Sequence, residues 1–265
     1  MSLYLNGDRV NVTLFPDNTS QVWKLDENHF NQERATILWE FTHEGEIMQL
    51  AQLKQLLDQS VDRVYLHIEY LPYGRQDKYI RNDATFALWS FGAVINSLNF
   101  EEIFIMDPHS EMALAILHKS RAVYPHGPLG RALKMIEAEL VCYPDKGARS
   151  KYSEIYKLPV PYIFGEKVRN QATGHIEAYD LFGNPQGKIV MIVDDICDGG
   201  KTFEILADQL FSNGVDGVNL FVTHGIFSKG LMPLKKAGID RIFTNKGEIL
   251  LMGDGGFKTR NWEQI

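Results

Sequence analysis

The stretch that predicts the fold most directly runs from Ile189 to Thr202 and reads IVMIVDDICDGGKT. Its first five residues are apolar, as in a strand that is buried on both faces of a parallel sheet. Two adjacent acids and a turn with two glycines follow, and Thr202 falls in the first turn of a predicted helix. Glycines let backbone N–H groups approach a ligand closely, and a helix start offers unpaired N–H groups and a positive dipole end. The stretch therefore predicts an anion site, and its paired acids suit ribose hydroxyls or a magnesium ion.

Two other phosphate-binding motifs are excluded by counting residues. A P-loop ending in Gly200-Lys201-Thr202 requires glycine at the position that Asp195 occupies. A dinucleotide fingerprint starting at Gly253 requires glycine where the chain has Lys258.

The same succession of apolar strand, polar loop and helix recurs along the chain. It predicts further strands at Val61–Ile68, Ile103–Met106, Leu140–Tyr143 and Val218–Val222. It also predicts two well-marked helices at Asp83–Ser97 and Glu111–Lys119. Strands that alternate with helices predict parallel sheets with crossover helices, because parallel neighbours cannot be joined by a tight turn. Ligands in such sheets bind at the loops after the strands, where the polar clusters of this chain fall.

Length and composition limit the class of protein. The 265 residues are enough for two domains of about 130 residues each, and we place the boundary near Ala138, giving domains 1–138 and 139–265. With 45% hydrophobic and 23% charged residues, a disordered or fibrous chain is excluded. The net charge of -7 argues against nucleic acid or an anionic membrane as a partner, so any phosphate binding must be local.

The two cysteines and the N-terminus point to a cytoplasmic protein. Cys142 and Cys197 have neither the spacing of a zinc site nor that of a disulfide framework. The first residues do not resemble a signal peptide, and no run of about 18 apolar residues occurs.

The polar loops, taken in order, resemble those of the ribose-phosphate pyrophosphokinases. Residues 189–202 resemble the phosphoribosyl-pyrophosphate binding loop that these enzymes share with type I phosphoribosyltransferases. Residues 73–78 (YGRQDK) resemble the family's ATP-side loop, residues 107–110 (DPHS) its magnesium loop and residues 143–147 (YPDKG) its pyrophosphate loop. Residues 223–228 (THGIFS) and Thr244-Asn245 match two further signatures, so the resemblance covers nearly the whole chain.

This resemblance implies a fold and an activity. The fold is α/β, with two tandem phosphoribosyltransferase-like domains, each a mainly parallel sheet flanked by helices. The first would carry the ATP-side and magnesium loops, and the second the pyrophosphate, catalytic and ribose 5-phosphate loops. The implied activity transfers a diphosphoryl group from ATP to ribose 5-phosphate with Mg²⁺, in a homo-oligomer.

The resemblance also assigns roles to residues. The ribose 5-phosphate site comprises Asp194, Asp195, Asp198, Gly199, Gly200, Lys201 and Thr202. The pyrophosphate loop comprises Asp145, Lys146, Gly147 and Ala148, and the ATP residues are Phe15, Asp17, Arg75, Gln76 and His109. His109 and Asp145 would bind the metal. Lys167 and Arg169 would be catalytic, neutralising charge on the transferred group, in a polar stretch to Gly187 that we expect to be a mobile loop.

Three residues depart from the family pattern, and two other functions remain open. Thr19 stands where the family usually has glutamate, Gly199 where it has threonine, and Lys201 where it has a small residue. The first alternative is a phosphoribosyltransferase that consumes phosphoribosyl pyrophosphate, and the second is a non-catalytic regulatory homologue. Lys167, Arg169 and the loop at Arg75 argue against the first. The joint presence of Lys167, Arg169, His109 and Asp145 argues against the second.

Overall fold

The computed structural model describes residues 3–169, 176–252 and 256–264, with the backbone alone for 167–169 and 176–179. The chain divides between Tyr124 and Pro125 into two compact units. The helix α4, His126–Met135, therefore belongs to the second unit, whereas the boundary expected near Ala138 would leave it in the first. No helix in the described residues is long and apolar enough to cross a membrane.

The first unit is built on a six-stranded sheet. Its strands lie in the order β2-β1-β5-β6-β7-β8, and β5 to β8 run parallel to one another. Their bounds are Leu3–Leu5 (β1), Asp8–Arg9 (β2), Gln32–Trp39 (β5), Val61–Ile68 (β6), Glu102–Met106 (β7) and Ser120–Val123 (β8). A separate hairpin, a 3₁₀ helix at Glu27–His29 and three α-helices also belong to it. Their bounds are Val12–Leu14 (β3), Ser20–Val22 (β4), Gly45–Leu57 (α1), Ala87–Ser97 (α2) and Met112–Ile116 (α3).

The second unit is built on an eight-stranded sheet. Its order is β11-β10-β9-β12-β13-β14-β15-β16, and the five strands from β10 to β14 in that order are parallel. The strands are Leu140–Tyr143 (β9), Tyr162–Arg169 (β10), Ile176–Phe182 (β11), Ile189–Cys197 (β12), Gly217–Gly225 (β13), Ile239–Thr244 (β14), Gly247–Leu251 (β15) and Phe257–Asn261 (β16). Besides α4, its helices are Lys146–Tyr156 (α5), Lys201–Ser212 (α6) and Met232–Lys236 (α7).

Hydrophobic spacing explains why β12 and α6 form and how they pack. Residues 190–193 of β12 are all buried, as a central strand covered on both faces requires. The buried side chains of α6 are Phe203, Leu206, Ala207 and Leu210, at the spacing that places them on one helix face. They join the second unit's core, so the turn between β12 and α6 is held at both ends by buried structure.

The predicted fold class, two α/β units with mainly parallel sheets, is confirmed, while element ends differ from the sequence expectation. The helix α2 begins at Ala87 rather than Asp83, because the Asp83 carboxylate pairs with both Nε and Nη2 of Arg81 instead of capping a helix. The helix α3 ends at Ile116 rather than Lys119, because the Asn96 side chain bonds the Ile116 carbonyl and the His118 N–H. Both helices are shorter than predicted.

The polar stretch expected as a mobile loop is largely a β-hairpin in the structure. The strands β10 and β11 pair antiparallel, with Glu166 opposite Asp180 and Phe164 opposite Phe182. The Phe164 and Phe182 rings stack with centroids 4.8 Å apart, which favours the paired form. Residues 170–175 lie outside the described part of the chain.

Candidate active site

The turn from β12 into α6 has the geometry expected of a phosphate-binding turn. The strand β12 continues through both acids and stays paired with β13 as far as Cys197. Gly200 then begins α6 in the left-handed conformation, with φ 81° and ψ −9°, which glycine adopts without strain. As a glycine, the N-cap residue has no side chain to bond the N–H groups of this helix start. The first N–H groups of α6 therefore remain available to an anion.

Three carboxylates gather where the adjacent parallel strands β9 and β12 end. Asp195 is buried and accepts a bond from the Ile196 N–H at 2.9 Å, while Asp194, on the opposite face of the strand, accepts one from the Asp195 N–H at 3.0 Å. Burial, together with the negative charges of Asp195 and Asp145, raises the pKa of Asp194 well above its usual value. A nearby cation or hydrogen-bond donor would favour the ionised form of Asp194.

Asp145 also begins α5. Its carboxylate Oδ1 accepts a bond from the Ala148 N–H at 2.9 Å, so the predicted pyrophosphate loop is an N-capped helix start. Lys146, in the same loop, forms an ion pair with Glu166 of β10. Gly147 lies close to the cap, since a Cβ there would be 3.2 Å from Asp145 Oδ1.

The donor set suits a magnesium ion that is shared with a substrate. Within the described ranges, no three His, Cys, Asp or Glu side chains converge well enough to hold a metal ion by themselves. Mg²⁺ is usually held in proteins by one or two carboxylates together with phosphate oxygens and water, and Asp145 beside Asp194 offers such carboxylates. His109 belongs to the first unit and Asp145 to the second, so their binding of one ion stays a prediction.

The loop after β13 fixes the phosphate turn from the side. Ser228 donates its hydroxyl to Asp198 Oδ1 at 2.6 Å and its N–H to the Asp198 carbonyl at 3.2 Å. The Cys197 carbonyl accepts the N–H groups of Ile226 and Phe227 at 2.9 and 3.1 Å. Asp198 is thus held by Ser228, a residue to which the sequence analysis gave no role. Its signal was present, because Ser228 closes one of the matched signatures.

In the first unit, the structure brings the ATP-side and magnesium loops together. They follow the neighbouring parallel strands β6 and β7, and a Cβ on Gly74 would lie 3.9 Å from the Cβ of His109. Tyr73 has φ 61° and donates its phenol to Glu44, which raises the pKa of Tyr73 to about 12. Arg75 and Gln76 follow it with exposed side chains.

Phe15 and Asp17 lie in the exposed turn of the β3–β4 hairpin. Asp17 Oδ1 accepts the Thr19 hydroxyl at 2.7 Å and the Thr19 N–H at 3.0 Å, and these bonds lower the pKa of Asp17. The hairpin is anchored to α1 by Gln52, whose amide bonds the Val22 N–H and the Ser20 carbonyl, each at 2.8 Å. Thr19, the departure from the family pattern, thus orients its neighbour Asp17.

The two predicted catalytic residues lie at the end of β10, next to residues 170–175, which the structure does not describe. The backbones of Lys167 and Arg169 belong to β10 and pair with Tyr179 and Ile176 of β11. Their side chains lie outside the part that the structure describes.

Comparison with known proteins supports the resemblance. No family model matches the sequence. The chain is 27% identical over 241 residues to a ribose-phosphate pyrophosphokinase of Thermococcus kodakarensis, covering 88% of this chain and 83% of that protein. It is 25% identical over 246 residues to the ribose-phosphate pyrophosphokinase of Sulfurisphaera tokodaii, covering 89% and 83%. The crystal structure of phosphoribosylpyrophosphate synthetase from Mycobacterium smegmatis shares the fold, with a TM-score of 0.72 and 20% identity over 88% of this chain and 78% of that one.

Proposed function

We propose that this chain, a relative of the ribose-phosphate pyrophosphokinases, converts ATP and ribose 5-phosphate to phosphoribosyl pyrophosphate and AMP. The observation that carries the proposal is the β12–α6 turn, in which two adjacent carboxylates near the end of β12 are followed by a short turn and a helix start whose N-cap is glycine. A sugar phosphate has the matching chemistry, because its hydroxyls donate to carboxylates and its phosphate accepts from N–H groups.

On the sugar side, the second unit would supply both kinds of contact. Asp194 and Asp195 accept hydrogen bonds from the ribose hydroxyls. Because the pKa of Asp194 is raised, its ionised form is disfavoured, and hydrogen bonds from these hydroxyls would stabilise that form. The N–H groups of residues 199–202 and the Thr202 hydroxyl hold the 5-phosphate. Asp198, just before these residues, and the side chain of Lys201 complete the ribose 5-phosphate site.

On the nucleotide side, the first unit would hold ATP. Arg75 fits phosphate oxygens or stacks on a base, and Gln76 reads a base edge. Phe15 offers a ring for the adenine, and Asp17 an acceptor for a base N–H. The position of Asp17 is set by its two bonds from Thr19.

Asp145 in the second unit and His109 in the first would each offer a group to Mg²⁺ or to its bound water, and the ion would neutralise charge on the polyphosphate. The oxygen of the anomeric hydroxyl forms a bond to the β-phosphorus while the bond from that phosphorus to the α,β-bridging oxygen breaks, and AMP carries that oxygen away. The hydroxyl proton is released to solvent. Such a transfer depends on positioning and charge neutralisation, which we assign to the cations of Lys167 and Arg169.

A product assay tests this function. The protein is incubated with ATP, ribose 5-phosphate and Mg²⁺, and nucleotides and sugar phosphates are separated by ion exchange. We expect AMP and phosphoribosyl pyrophosphate in equal amounts, and neither without ribose 5-phosphate. Asp195→Asn serves as the matched inactive variant, since it keeps the side-chain size but removes a carboxylate charge.

The same preparation separates the alternatives. A phosphoribosyltransferase would form nucleotides from phosphoribosyl pyrophosphate and a nucleobase without ATP. A regulatory homologue would bind the ligands without turnover. Absence of AMP across a range of phosphate and metal concentrations would refute the proposed function. A cytoplasmic location and a homo-oligomer are further parts of the proposal and rest on the resemblance.

A further inference from the structure

A lysine that the sequence analysis did not single out crosses the phosphate turn. The side chain of Lys229, in the loop after β13, passes over Gly199. Its Cγ, Cδ and Cε atoms lie 3.9, 3.6 and 3.5 Å from the position that a Cβ on Gly199 would take. The Cε atom, to which the ammonium nitrogen is bonded, is the nearest of the three, and Nζ itself lies no closer than 3.9 Å to that position.

The backbone that carries Lys229 is attached to the same turn. Ser228, the preceding residue, bonds Asp198 through its hydroxyl and its N–H. Gly230, the following residue, has φ 67° and bonds the Phe227 carbonyl at 2.8 Å. The origin of the Lys229 side chain is therefore held in place relative to residues 197–199.

Gly199 lies under the stem of Lys229. Unlike Gly200, it does not adopt a left-handed conformation, so its backbone does not require glycine. A Cβ at this position would meet the Lys229 stem at ordinary contact distances of 3.5 to 3.9 Å, so the stem packs closely on the turn.

The other lysine of the turn is already engaged. Lys201 Nζ lies 3.2 Å from Glu204 Oε2, one turn along α6. No ion pair in the described ranges involves Lys229. Of the two lysines, Lys229 is thus the one without an ion pair among the described residues, and its side-chain stem lies over the turn that precedes α6.

We propose that Lys229 is a binding residue for the phosphate of the sugar substrate and supplies the main side-chain cation at the α6 start. The proposal rests on the proposed function for the identity of the sugar phosphate. A charge-assisted bond from one ammonium group to a phosphate in a partly exposed site corresponds to roughly a 10- to 100-fold change in affinity.

Binding of ribose 5-phosphate, measured by calorimetry on the full-length protein, tests the proposal. Lys229→Met keeps a flexible apolar side chain over Gly199 and removes the charge, so the thermal midpoint should stay within a few degrees. We expect the Kd to rise by roughly 10- to 100-fold and the remaining affinity to depend less on ionic strength. Lys229→Arg should restore most of the affinity, and Lys201→Met should weaken binding less than Lys229→Met does.

Lys236→Met is the matched control. Lys236 is exposed on α7 in the same unit, so its replacement changes the net charge equally without touching the turn. Its Kd should equal that of the unmodified protein.

Two results would overturn the proposal. One is an equal Kd for Lys229→Met and the unmodified protein, including the case in which neither binds ribose 5-phosphate. The other is a loss of affinity that Lys229→Arg does not restore, because that would indicate a packing role. The failure of the proposed function looks different: ribose 5-phosphate binds in a Lys229-dependent way, but the unmodified protein forms no AMP.

Discussion

Two neighbouring glycines in the phosphate turn should respond very differently to the same substitution. Gly200 begins α6 with φ 81°, and a Cβ there would lie 3.0 Å from Leu234 Cδ2 and 3.4 Å from Leu234 Cγ. Gly199 has no positive φ, and its Cβ would meet Lys229 Cε at an ordinary 3.5 Å. Gly200→Ala is therefore the perturbation, and Gly199→Ala is its control.

The structure sets the expected size of each effect. A left-handed conformation costs a residue with a Cβ about 1–2 kcal/mol relative to glycine. Leu234 is buried, so the close contact adds about 1 kcal/mol of overpacking. The sum, about 2–3 kcal/mol, corresponds to a decrease in Tm of about 5–10 °C for a unit of this size. Gly199→Ala should stay within about 0.5 kcal/mol.

Thermal unfolding followed by circular dichroism measures both variants without ligand, and hydrogen exchange of peptides from α6 locates the change. Gly200→Ala should also weaken ribose 5-phosphate binding, because relieving the strain turns the N–H groups at the helix start. Equal Tm values for the two variants, or faster exchange spread evenly over both units, would show that Gly200 carries no special conformational demand.

Three further predictions concern charge. Asp194→Asn should raise the Tm measured without ligand at neutral pH, and it should weaken sugar binding. The pKa of Asp194 in the folded protein lies above the ordinary 3.8, so ionisation of Asp194 destabilises the fold as the pH rises beyond that value. An unchanged Tm would contradict this. Burial raises the pKa of Glu248, but hydrogen bonds from Arg241 and Arg260 outweigh it, so the pKa lies below 4.5. The contribution of Glu248 to stability is therefore present above pH 4.5 and is lost as the pH falls through the pKa of the folded state. Urea unfolding should therefore show that Glu248→Gln costs stability at pH 7 and less below pH 4.5, whereas a constant difference would contradict this assignment. Lys167→Ala should lower turnover by at least about 100-fold with little change in ATP affinity, as measured by steady-state kinetics and ATP titration, and an equal loss of both would indicate a ground-state role.

Much of the fold could be predicted from the sequence because its signals are local. Five apolar residues before Asp194 indicate a buried strand. Gly200 indicates a residue with left-handed backbone conformation at the start of an α-helix. The ends of α2 and α3 could not be predicted, since they depend on contacts between residues distant along the chain. Asn96, for example, ends α3 by bonding the backbone 20 and 22 residues later.

The candidate site was predictable where a motif carries it and not where side chains converge from separate loops. Residues 194–202 form one continuous turn, so their proximity followed from the sequence. Asp145 raises the pKa of Asp194 only because β9 and β12 are neighbours in the sheet. The contact between Lys229 and Gly199 likewise joins the loops after two different strands, and a single sequence contains no local signal for it.

Phosphorus NMR of the reaction mixture identifies the group that leaves ATP and so distinguishes diphosphoryl transfer from other reactions. With ribose 5-phosphate and Mg²⁺, we expect the ATP signals to be replaced by the single resonance of AMP and by two coupled resonances of a diphosphate on the sugar. The appearance of ADP, which would mean that one phosphoryl group is transferred, or an unchanged ATP spectrum would contradict this expectation.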